Sequence, residues 1–447
     1  MSVTVPLNTL SLDQRRHIAR ECKCKETRKQ NTRQPIRGAI EVLEAYSVDT
    51  ETDLCYLPMV YGQSIGLPRK SRELCRSTQL NFNKSLYPEQ EEIIAEVRPS
   101  LKNTGAALIN LSTGMGKTLT AVYIATRLIK LQTLIIIPGI TVLIPQWVEE
   151  ITESTGGRVQ ILKGKTVPDP EADFYIVNAM NLPKISRTSL EGIGLVIVDE
   201  VHAAFTRSRL PALLHVSARY VIGLSATPFR SDGFHKTALP LFFGNAIVSR
   251  KTNRAHDYYK VTTEFTPETR QSNAGCLDWG YILEQQADCT DRDDIVIQLV
   301  QQHPERTILI FCKRTSQVVR LGERLVSEGF TADTLYGNKT EFDRSCQVLV
   351  STVQKTSTGF NWPKIDMLIF AADISGNNST EDGNYYIQNL GRGMRRRDSR
   401  PIVFDIVDNN GVLNRHHKNR VKISKQNGGV FRGEYQFPII TEPEIAV

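Results

Sequence analysis

Short apolar runs recur along the middle of the chain and are separated by amphipathic stretches. The first series of runs lies at residues 105–111, 132–139, 173–180, 194–201 and 220–227. Between them, stretches such as 118–131 and 141–151 repeat apolar residues at helical spacing. Buried parallel strands that alternate with covering helices produce this pattern. The pattern therefore predicts an α/β lobe with a parallel sheet over residues 86–250.

A second series of apolar runs predicts a second lobe of the same kind. These runs lie at residues 306–313, 331–337, 346–352, 365–373 and 400–408. They place the second parallel-sheet lobe at residues 291–410, in tandem with the first. Residues 251–290 are polar and weakly periodic, which predicts a linker between the lobes.

The two ends of the chain do not follow the alternating pattern. Residues 1–85 combine a polar stretch with an apolar one that contains Tyr56 and Tyr61, which predicts a small N-terminal accessory domain. Residues 411–447 are expected to form a basic C-terminal tail. A length of 447 residues agrees with about three units, at roughly 150 residues per domain.

Charge is concentrated near both ends. The chain has a net charge of +7, but residues 1–40 hold nine Lys or Arg against three Asp or Glu, and residues 392–432 hold eleven against three. The rest of the chain is therefore acidic, with a net charge of −7. Two basic segments on an acidic body indicate a polyanionic partner such as nucleic acid, although solvated surface charge explains them equally well.

The cysteines and the hydropathy pattern indicate the cellular compartment in which the protein is expected. No apolar run reaches the roughly 18 residues that a membrane span needs, and the N-terminal residues lack the apolar core of a secretory signal. We therefore expect no membrane partner, a cytoplasmic protein and reduced thiols among its eight cysteines. A zinc site formed by Cys22, Cys24, Cys55 and Cys75 stays open as an alternative, although their spacing matches no common zinc motif.

A glycine-containing turn lies between the first apolar run and the first amphipathic stretch. Its residues are Ser112, Thr113, Gly114, Met115, Gly116, Lys117 and Thr118. Glycines let backbone N–H groups turn toward a phosphate, and the helix that follows offers its positive end. This predicts an ATP phosphate loop in which Lys117 reaches the β- and γ-phosphates and Thr118 binds Mg²⁺. The strict pattern has glycine where this chain has Leu111, and an accidental glycine-rich turn is the alternative.

Two carboxylates follow the apolar run at 195–198. Because open α/β sheets bind ligands at the carboxyl ends of their strands, Asp199 and Glu200 are expected at the same site as the phosphate loop. Asp199 would bind Mg²⁺, and Glu200 would orient and deprotonate the attacking water. The alternative is a pair of solvated turn residues.

These motifs, together with two later ones, resemble superfamily 2 helicases and translocases. The later motifs are Ser225-Ala226-Thr227-Pro228 and the segment from Gln388 to Arg395, which fits QxxGRxxR at every fixed position. The resemblance covers about residues 86–410. It implies two RecA-like lobes, ATP with Mg²⁺ as cofactors and nucleic acid as partner.

The resemblance also assigns roles residue by residue. Gln90 matches the glutamine that reads adenine, with a surface glutamine as the alternative, and Arg392 and Arg395 match the arginines directed at the γ-phosphate. Residues expected to couple hydrolysis to movement are His202, Ser225, Thr227 and Gln388.

Nucleic-acid contacts are expected from softer matches. The candidate residues are Thr141, Lys313, Arg314 and Thr352. The family's usual threonine after Pro138 is Gly139 here, and its usual aspartate is Asn361. Each candidate contact has a purely structural alternative.

The Asp199-Glu200-Val201-His202 box and the later motifs look unlike those of DEAD-box RNA helicases. They are similar to phage branch-migration helicases of the UvsW kind and to poxvirus transcript-release helicases, of which we favour the first. We therefore expect an ATP-dependent DNA helicase or translocase, acting as a monomer on branched, forked or single-stranded DNA in viral replication, recombination or repair. Two alternatives stay open, namely an RNA-directed or transcript-release translocase and a non-catalytic binding protein with an ATP fold.

Overall fold

The chain forms two compact units, Met1–Lys251 and Thr252–Val447. The computed structural model describes residues 1–25, 42–112, 114–139, 143–226, 234–251, 253–272, 275, 277–357, 360–377, 381–396 and 398–438. Within these ranges, every helix is too short or too polar to cross a membrane. Each unit contains one large parallel sheet, so the predicted α/β class with two parallel-sheet lobes in tandem is confirmed.

The first unit contains twelve of the described strands and eight α-helices. The strands are β1 (Ser2–Pro6), β2 (Lys23–Lys25), β3 (Val42–Glu44), β4 (Ser47–Asp49), β5 (Leu54–Pro58), β6 (Ala106–Leu111), β7 (Thr133–Ile137), β8 (Val159–Leu162), β9 (Phe174–Asn178), β10 (Leu195–Val198), β11 (Tyr220–Ser225) and β12 (Ile247–Arg250). The helices are α1 (Leu12–Glu21), α2 (Met59–Ser64), α3 (Pro88–Asn103), α4 (Lys117–Tyr123), α5 (Leu143–Thr155), α6 (Val201–Ala204), α7 (Leu210–Leu213) and α8 (His235–Phe243). A π-helical segment, Ile124–Ile129, continues α4.

The large sheet of the first unit has the strand order β12-β6-β11-β10-β7-β9-β8, and all its pairs are parallel. Alternate residues of a strand supply opposite faces of the sheet. In β7, for example, Leu134 and Ile136 pack in one core, and Ile135 and Ile137 pack in the other. The strands β6, β11 and β10 are neighbours, so the turns that follow them share one edge of the sheet.

The N-terminal segment packs on the first lobe instead of forming a separate domain. A small antiparallel sheet, β1-β5-β4, shares a hydrophobic core with the lobe, and Val3 and Leu57 pack in the same cluster as Leu213. The Ser2 hydroxyl donates a hydrogen bond to the Leu214 carbonyl. Apolar residues of 1–85 are thus buried by the lobe itself, which the sequence pattern did not indicate.

The cysteines expected as an alternative zinc site divide between two cores. Cys22, Cys24 and Cys55 are buried with the N-terminal segment, whereas Cys75 belongs to the core on the other side of the sheet. The four thiols therefore do not converge on one site. Burial raises the pKa of the Cys55 thiol to about 11, which keeps it protonated.

The second unit contains seven of the described strands and six helices. The strands are β13 (His256–Thr262), β14 (Ile308–Cys312), β15 (Ala332–Leu335), β16 (Val348–Thr352), β17 (Met367–Phe370), β18 (Ile402–Val407) and β19 (Gly429–Glu434). The helices are α9 (Trp279–Asp288), α10 (Thr290–Gln301), α11 (Thr315–Ser327), α12 (Val353–Ser357), α13 (Glu381–Gly393) and α14 (Gly411–Gln426). The sheet order is β15-β16-β14-β17-β18-β13-β19, and every pair is parallel.

Two segments expected to lie outside the second lobe are part of it. The expected linker at 251–290 contains β13, which pairs with β18 inside the sheet, and also α9. The expected tail at 411–447 contains α14 and the edge strand β19, although residues 439–447 lie outside the described ranges. The polar composition of both segments concealed these elements, because each has one face or edge that stays in solvent.

Candidate functional site

The phosphate loop connects the buried strand β6 to the start of α4. Gly114 and Gly116 have φ angles of 89° and 69°, a region that favours glycine. A Cβ atom on Gly116 would lie 2.4 Å from Nε2 of Gln90, so only glycine fits there. Leu111, the departure from the strict motif, is the fully buried last residue of β6. Its side chain therefore supports the sheet, and the turn forms without a glycine at that position.

Lys117 lies in the first turn of α4, where its ammonium group donates a hydrogen bond to the Leu111 carbonyl at 3.1 Å. This places the cation beside the turn. The Met115 N–H donates to the Ser112 carbonyl, and Thr118 is half-buried next to Lys117. Thr113 lies outside the described residues. The loop thus brings a cation and a hydroxyl to the N-terminal end of a helix, the arrangement that binds phosphate.

Gln90 contacts the phosphate loop from α3. Its Nε2 lies 3.4 Å from the Met115 carbonyl oxygen and 3.3 Å from that of Gly116, and donates to both. Its Oε1 accepts from the Tyr87 N–H at 2.9 Å, and only 2% of the residue is exposed. The structure therefore assigns Gln90 a part in fixing the loop to α3 and excludes the alternative of a surface glutamine. Its reading of adenine stays a prediction.

Asp199 follows β10 and is held by two hydrogen bonds. Its Oδ2 accepts from the indole Nε1 of Trp147 at 2.9 Å, and its Oδ1 accepts from the Glu200 N–H at 2.9 Å. The residue is 6% exposed. Burial, followed by the neighbouring Glu200 charge, raises the pKa of Asp199 to about 6. The carboxylate is oriented by the protein but incompletely neutralised by it.

Glu200 is the N-cap of α6 and has a left-handed backbone, with φ of 47°. It is 9% exposed, and within the described part of the chain its Oε2 accepts no hydrogen bond. Nδ1 of His202 lies 3.3 Å from this oxygen. A buried carboxylate oxygen without a hydrogen-bond donor is costly and is characteristic of functional sites.

His202 links the carboxylate box to the next strand. Its Nδ1 lies 2.9 Å from the Ser225 hydroxyl, and Ser225 is the fully buried last residue of β11. The structure thus brings two of the residues expected to couple hydrolysis to movement into direct contact. Thr227 lies outside the described residues, as does Thr141.

The residues present fit Mg²⁺. Asp199 and Glu200 are adjacent buried carboxylates, and the orphaned Oε2 of Glu200 supplies unused acceptor capacity. Burial and the adjacent Glu200 charge raise the pKa of Asp199, and a cation bound between two such carboxylates would offset both effects. Oxygen donors of Asp199 and Thr118 are of the type that Mg²⁺ prefers.

The two candidate arginines of the second unit have different environments. Arg392 is 5% exposed and donates to three carbonyl oxygens, those of Thr356 (3.0 Å), Ser357 (2.6 Å) and Phe360 (2.6 Å). These bonds occupy all three nitrogens of its guanidinium and join α13 to the segment after β16. The expected direction of Arg392 toward a γ-phosphate is therefore not seen, and Arg392 is structural in this conformation.

Arg395 lacks such a set of partners. Its Nη1 donates to the side-chain oxygen of Asn361, and its buried Nε donates to no acceptor in the described part of the chain. Burial lowers the pKa of Arg395 to about 10, so the guanidinium stays charged at neutral pH. Because Asn361 is neutral where the family has aspartate, the positive charge of Arg395 is available to an anion.

The remaining candidates of the second unit are Gln388 on α13 and three residues at the carboxyl ends of β14 and β16. Gln388 is 3% exposed, and its Oε1 accepts no hydrogen bond from the described residues. Lys313 and Arg314 directly follow β14, in which Cys312 is paired with Thr352 of β16. Lys313, Arg314 and Thr352, the three candidate nucleic-acid contacts, are thus brought together at the ends of β14 and β16. Arg314, however, donates to the Gly280 carbonyl at 3.0 Å and lies 3.6 Å from Glu284, so α9 already engages it.

Sequence reasoning missed Trp147. This residue is 1% exposed on α5, and its hydrogen bond to Asp199 joins a helix to the expected metal ligand. A tryptophan in an amphipathic helix is read as a core residue, and the sequence contains no signal for the indole N–H partner. Only the packing of α5 beside β10 reveals it.

Comparisons with known proteins agree with this geometry. Residues 83–230 match the family described as "Type III restriction enzyme, res subunit". The chain is similar to "Putative helicase 161L" of Invertebrate iridescent virus 6, with 35% identity over 412 residues, covering 85% of this chain and 90% of that protein. It is also similar to a protein of Acanthamoeba polyphaga mimivirus named "Putative ATP-dependent RNA helicase", with 24% identity, covering 76% of this chain and 68% of that protein.

A solved structure has the same fold. It is a variant of yeast Dbp5 bound to RNA and ADP BeF3, with a TM-score of 0.53 and 16% identity, covering 78% of this chain and 94% of that one. At this identity the similarity concerns the fold alone, and it matches the tandem α/β lobes described above.

Proposed function

Because the chain belongs to the viral helicase family that includes the iridovirus protein, we propose that it hydrolyses ATP to move along nucleic acid. The finer proposal, which rests on the motif resemblance, is that its substrate is branched or forked DNA. The observation that carries the hydrolytic part is the buried, unpartnered Oε2 of Glu200 beside the oriented carboxylate of Asp199. The bacteriophage type expected from the motifs stays a prediction, and the viral relatives named above do not favour it.

In this proposal the first unit binds the triphosphate. Lys117 exchanges its carbonyl partner for the β- and γ-phosphates, and the N–H groups at the start of α4 bind phosphate oxygens. Asp199 and Thr118 hold Mg²⁺, which supplies charge neutralisation for the transferred phosphoryl group. Trp147 and the Glu200 N–H keep the Asp199 carboxylate in one orientation for this task.

Glu200 acts on the attacking water. None of the described residues donates a hydrogen bond to its Oε2, so a water molecule can donate to it and be deprotonated as it attacks. Arg395 stabilises the charge that develops on the phosphoryl oxygens, since among the described side chains its guanidinium donates to the neutral Asn361 and to no carboxylate.

The experiment that tests the proposal measures ATP hydrolysis without nucleic acid and then in the presence of single-stranded DNA, forked DNA or RNA. Wild-type protein should be stimulated, and folded Lys117→Ala protein should be inactive because it lacks the phosphate cation. Strand displacement on forks, four-way junctions and blunt duplexes then tests the branched-DNA part. Hydrolysis that no nucleic acid stimulates would contradict a translocase.

A second candidate is an RNA-directed translocase. It is favoured by the mimivirus relative, which is named an ATP-dependent RNA helicase. The same hydrolysis assay separates the two candidates. Stimulation by RNA but not by DNA would replace the branched-DNA proposal and leave the ATP chemistry unchanged.

A further inference from the structure

One side of helix α14 carries a row of cations. The helix contains no acidic residue, and Arg415, Lys418, Lys422 and Lys425 are all exposed. At about 100° per residue they lie within roughly 80° of the helix circumference, and they extend over about 15 Å of its length. We call these four residues the basic stripe.

The charge of the basic stripe is not compensated by the described carboxylates. In the part of the chain that the structure describes, none of the four residues forms an ion pair, although Lys425 lies 6.0 Å from the Phe431 ring centre. Exposed arginines elsewhere in the unit do find carboxylates, as Arg400 and Arg432 do with Asp257. The stripe therefore presents an uncompensated positive field, which is the electrostatic signature of a polyanion-binding surface.

The opposite side of α14 is fixed by a buried ionic network. Arg420 is 1% exposed and lies 2.7 Å from Asp373 and 2.9 Å from Asp405. Nδ1 of His416 is 2.6 Å from Asp373, and Nδ1 of His417 is 2.7 Å from Asp405. These contacts hold the helix on the sheet. The cations of the stripe are therefore presented by a rigid element and lose little backbone entropy when they bind.

A polar cavity adjoins the basic stripe. Its volume is about 340 Å³, and its lining residues are Gly376, Asn377, Asn419, Lys422, Ile423 and Gln426. Lys422 thus belongs both to the cavity and to the stripe. Carboxamides offer a donor and an acceptor side by side, as the edges of nucleobases require, and the volume lies at the small-ligand end of known sites.

We propose that the basic stripe and this cavity bind a single nucleic-acid strand, with phosphates on the stripe and one unstacked base in the cavity. This inference rests on the proposed function, since it adds a strand contact to the translocase outside the recognised motifs. An acidic protein would be satisfied by the cations but would not use the carboxamides. A duplex keeps its bases stacked and would leave the cavity empty.

The first experiment removes the charge of the stripe. The quadruple variant is Arg415→Gln, Lys418→Gln, Lys422→Gln and Lys425→Gln. Its affinity for short single-stranded DNA and RNA should fall about 10- to 100-fold near 0.1 M salt. The slope of log K against log salt should become shallower by up to about 3, since each phosphate contact on a single strand contributes about 0.7.

A matched control removes four exposed cations of the first unit. They are Arg98, Lys102, Lys163 and Lys165. The glutamine variant of this set has the same net charge as the stripe variant, and its affinity and salt slope should stay close to wild type. Equal losses in both variants would show that only the total charge matters and would overturn the proposal.

The second experiment tests the cavity. The wild-type protein should bind an intact strand more tightly than an abasic strand of the same length. The double variant Asn377→Ala and Asn419→Ala should lose this preference and keep the wild-type salt slope, because it removes base contacts and no charge. If the double variant keeps the preference, the cavity takes no base and the proposal fails.

The outcomes distinguish this inference from the proposed function. If nucleic acid fails to stimulate hydrolysis by the wild-type protein, the translocase proposal fails first. If stimulation is normal and the stripe variant binds strands as wild type does, only the proposal that α14 binds nucleic acid is overturned. A further outcome is that the stripe variant loses binding to heparin and to nucleic-acid strands equally, while the wild type shows no base preference. This result would indicate a general polyanion surface and would also overturn the proposal.

Discussion

At the scale of single residues, the two adjacent carboxylates differ in how the protein engages them. Both Asp199 oxygens accept hydrogen bonds, from Trp147 and from the Glu200 N–H, so its orientation is set before any ligand arrives. Glu200 has an oxygen that no described group satisfies. An oriented carboxylate suits metal binding, and an unsatisfied one suits proton transfer. This difference supports the roles that the motif predicts, with Asp199 as metal ligand and Glu200 as general base, and those roles stay a prediction.

Replacing Glu200 with glutamine should separate binding from turnover. Glu200→Gln keeps the size of the side chain but cannot accept the proton of the attacking water, so we expect ATP binding without turnover. Single-turnover hydrolysis and nucleotide-binding assays measure the two steps. The exposed Glu171→Gln serves as control and should behave as wild type. Loss of nucleotide binding in Glu200→Gln would make the residue structural.

The two arginines of α13 and the segment after it also have different roles. Arg392 satisfies three buried carbonyls, whereas Arg395 donates to one neutral amide and its Nε finds no acceptor among the residues that the structure describes. Sequence spacing treats them as equivalent. Packing shows that Arg392 holds the carbonyls of Thr356, Ser357 and Phe360, whereas the charge of Arg395 has no carboxylate partner among the described residues.

Alanine substitutions should therefore have opposite signatures. Arg395→Ala should lower kcat by about 10³-fold with little change in ATP affinity or stability, as expected for a cation used in the transition state. Arg392→Ala should instead cost about 3–5 kcal/mol of unfolding free energy, because it leaves three buried carbonyls without donors. Urea unfolding and steady-state kinetics on both variants test this. A purely kinetic effect at Arg392 would contradict its structural assignment.

Trp147 connects α5 to the carboxylate of Asp199. The helix begins at Leu143, just after residues 138 and 139, where the motif resemblance expects nucleic-acid contact. A shift of α5 would move the indole N–H relative to Asp199 Oδ2, since only 2.9 Å separates them. Under the proposed function, Trp147 would transmit nucleic-acid binding to Asp199, the predicted metal ligand.

Removing this hydrogen bond should weaken the stimulation of hydrolysis. Trp147→Phe keeps most of the buried volume and loses the donor to Asp199, so we expect a several-fold higher KM for Mg-ATP and a smaller ratio of stimulated to basal kcat. The control is Trp362→Phe in the second unit, whose indole donates to the Arg344 carbonyl at 3.3 Å. A wild-type stimulation ratio in Trp147→Phe would show that the bond only supports packing.

At the scale of elements, the sequence predicts what local pattern determines. The strands β6, β7, β10 and β14 are buried on both faces, so their apolar runs are continuous and their positions follow from composition. The phosphate loop and carboxylate box follow these strands directly and were predicted with them. The strand β13 and the helix α14 were not, because their polar residues face solvent or form buried ion pairs such as Arg420 with Asp405. Such ion pairs join residues that are distant in sequence, so a short window of sequence does not reveal them.

The packing of the N-terminal segment could not be predicted from the sequence either. From sequence we would expect deletion of residues 1–85 to leave an active core that has lost its preference for branched DNA. The structure changes this expectation, since Val3, Leu57 and Met59 are buried in the core that also contains Phe242. Tyr56 and Tyr61 are buried as well, at 6% and 7% exposure, so they are poorly placed to stack on bases.

We therefore expect the truncated protein to unfold. Each fully buried apolar side chain contributes about 1.5–3 kcal/mol, so losing several removes an amount comparable to the roughly 5–15 kcal/mol that stabilises a typical domain. Far-ultraviolet circular dichroism and solubility of the fragment 86–447 measure this. A soluble, folded fragment with normal basal hydrolysis would restore the view of an independent accessory domain.

At the scale of the whole molecule, the proposed chemistry is divided between the two units. Lys117, Asp199 and Glu200 lie in Met1–Lys251, whereas Arg395 lies in Thr252–Val447. Each unit has its own parallel sheet and its own hydrophobic cores, which is what independent folding requires. Binding of the nucleotide and acceleration of its hydrolysis should therefore be separable by dividing the chain.

The fragment 1–251 should fold and bind ATP but hydrolyse it slowly. Its phosphate loop and carboxylates are complete, so we expect an ATP dissociation constant within about tenfold of that of the whole chain. Without Arg395, its kcat should fall by about 10³-fold, close to that of full-length Arg395→Ala. Thermal shifts with Mg-ATP and single-turnover hydrolysis compare the three proteins. If the fragment hydrolyses ATP as fast as the whole chain, the catalytic cation lies in the first unit and Arg395 is not the arginine that acts on the phosphoryl group. If the fragment is far slower than Arg395→Ala, the second unit contributes more to hydrolysis than one guanidinium.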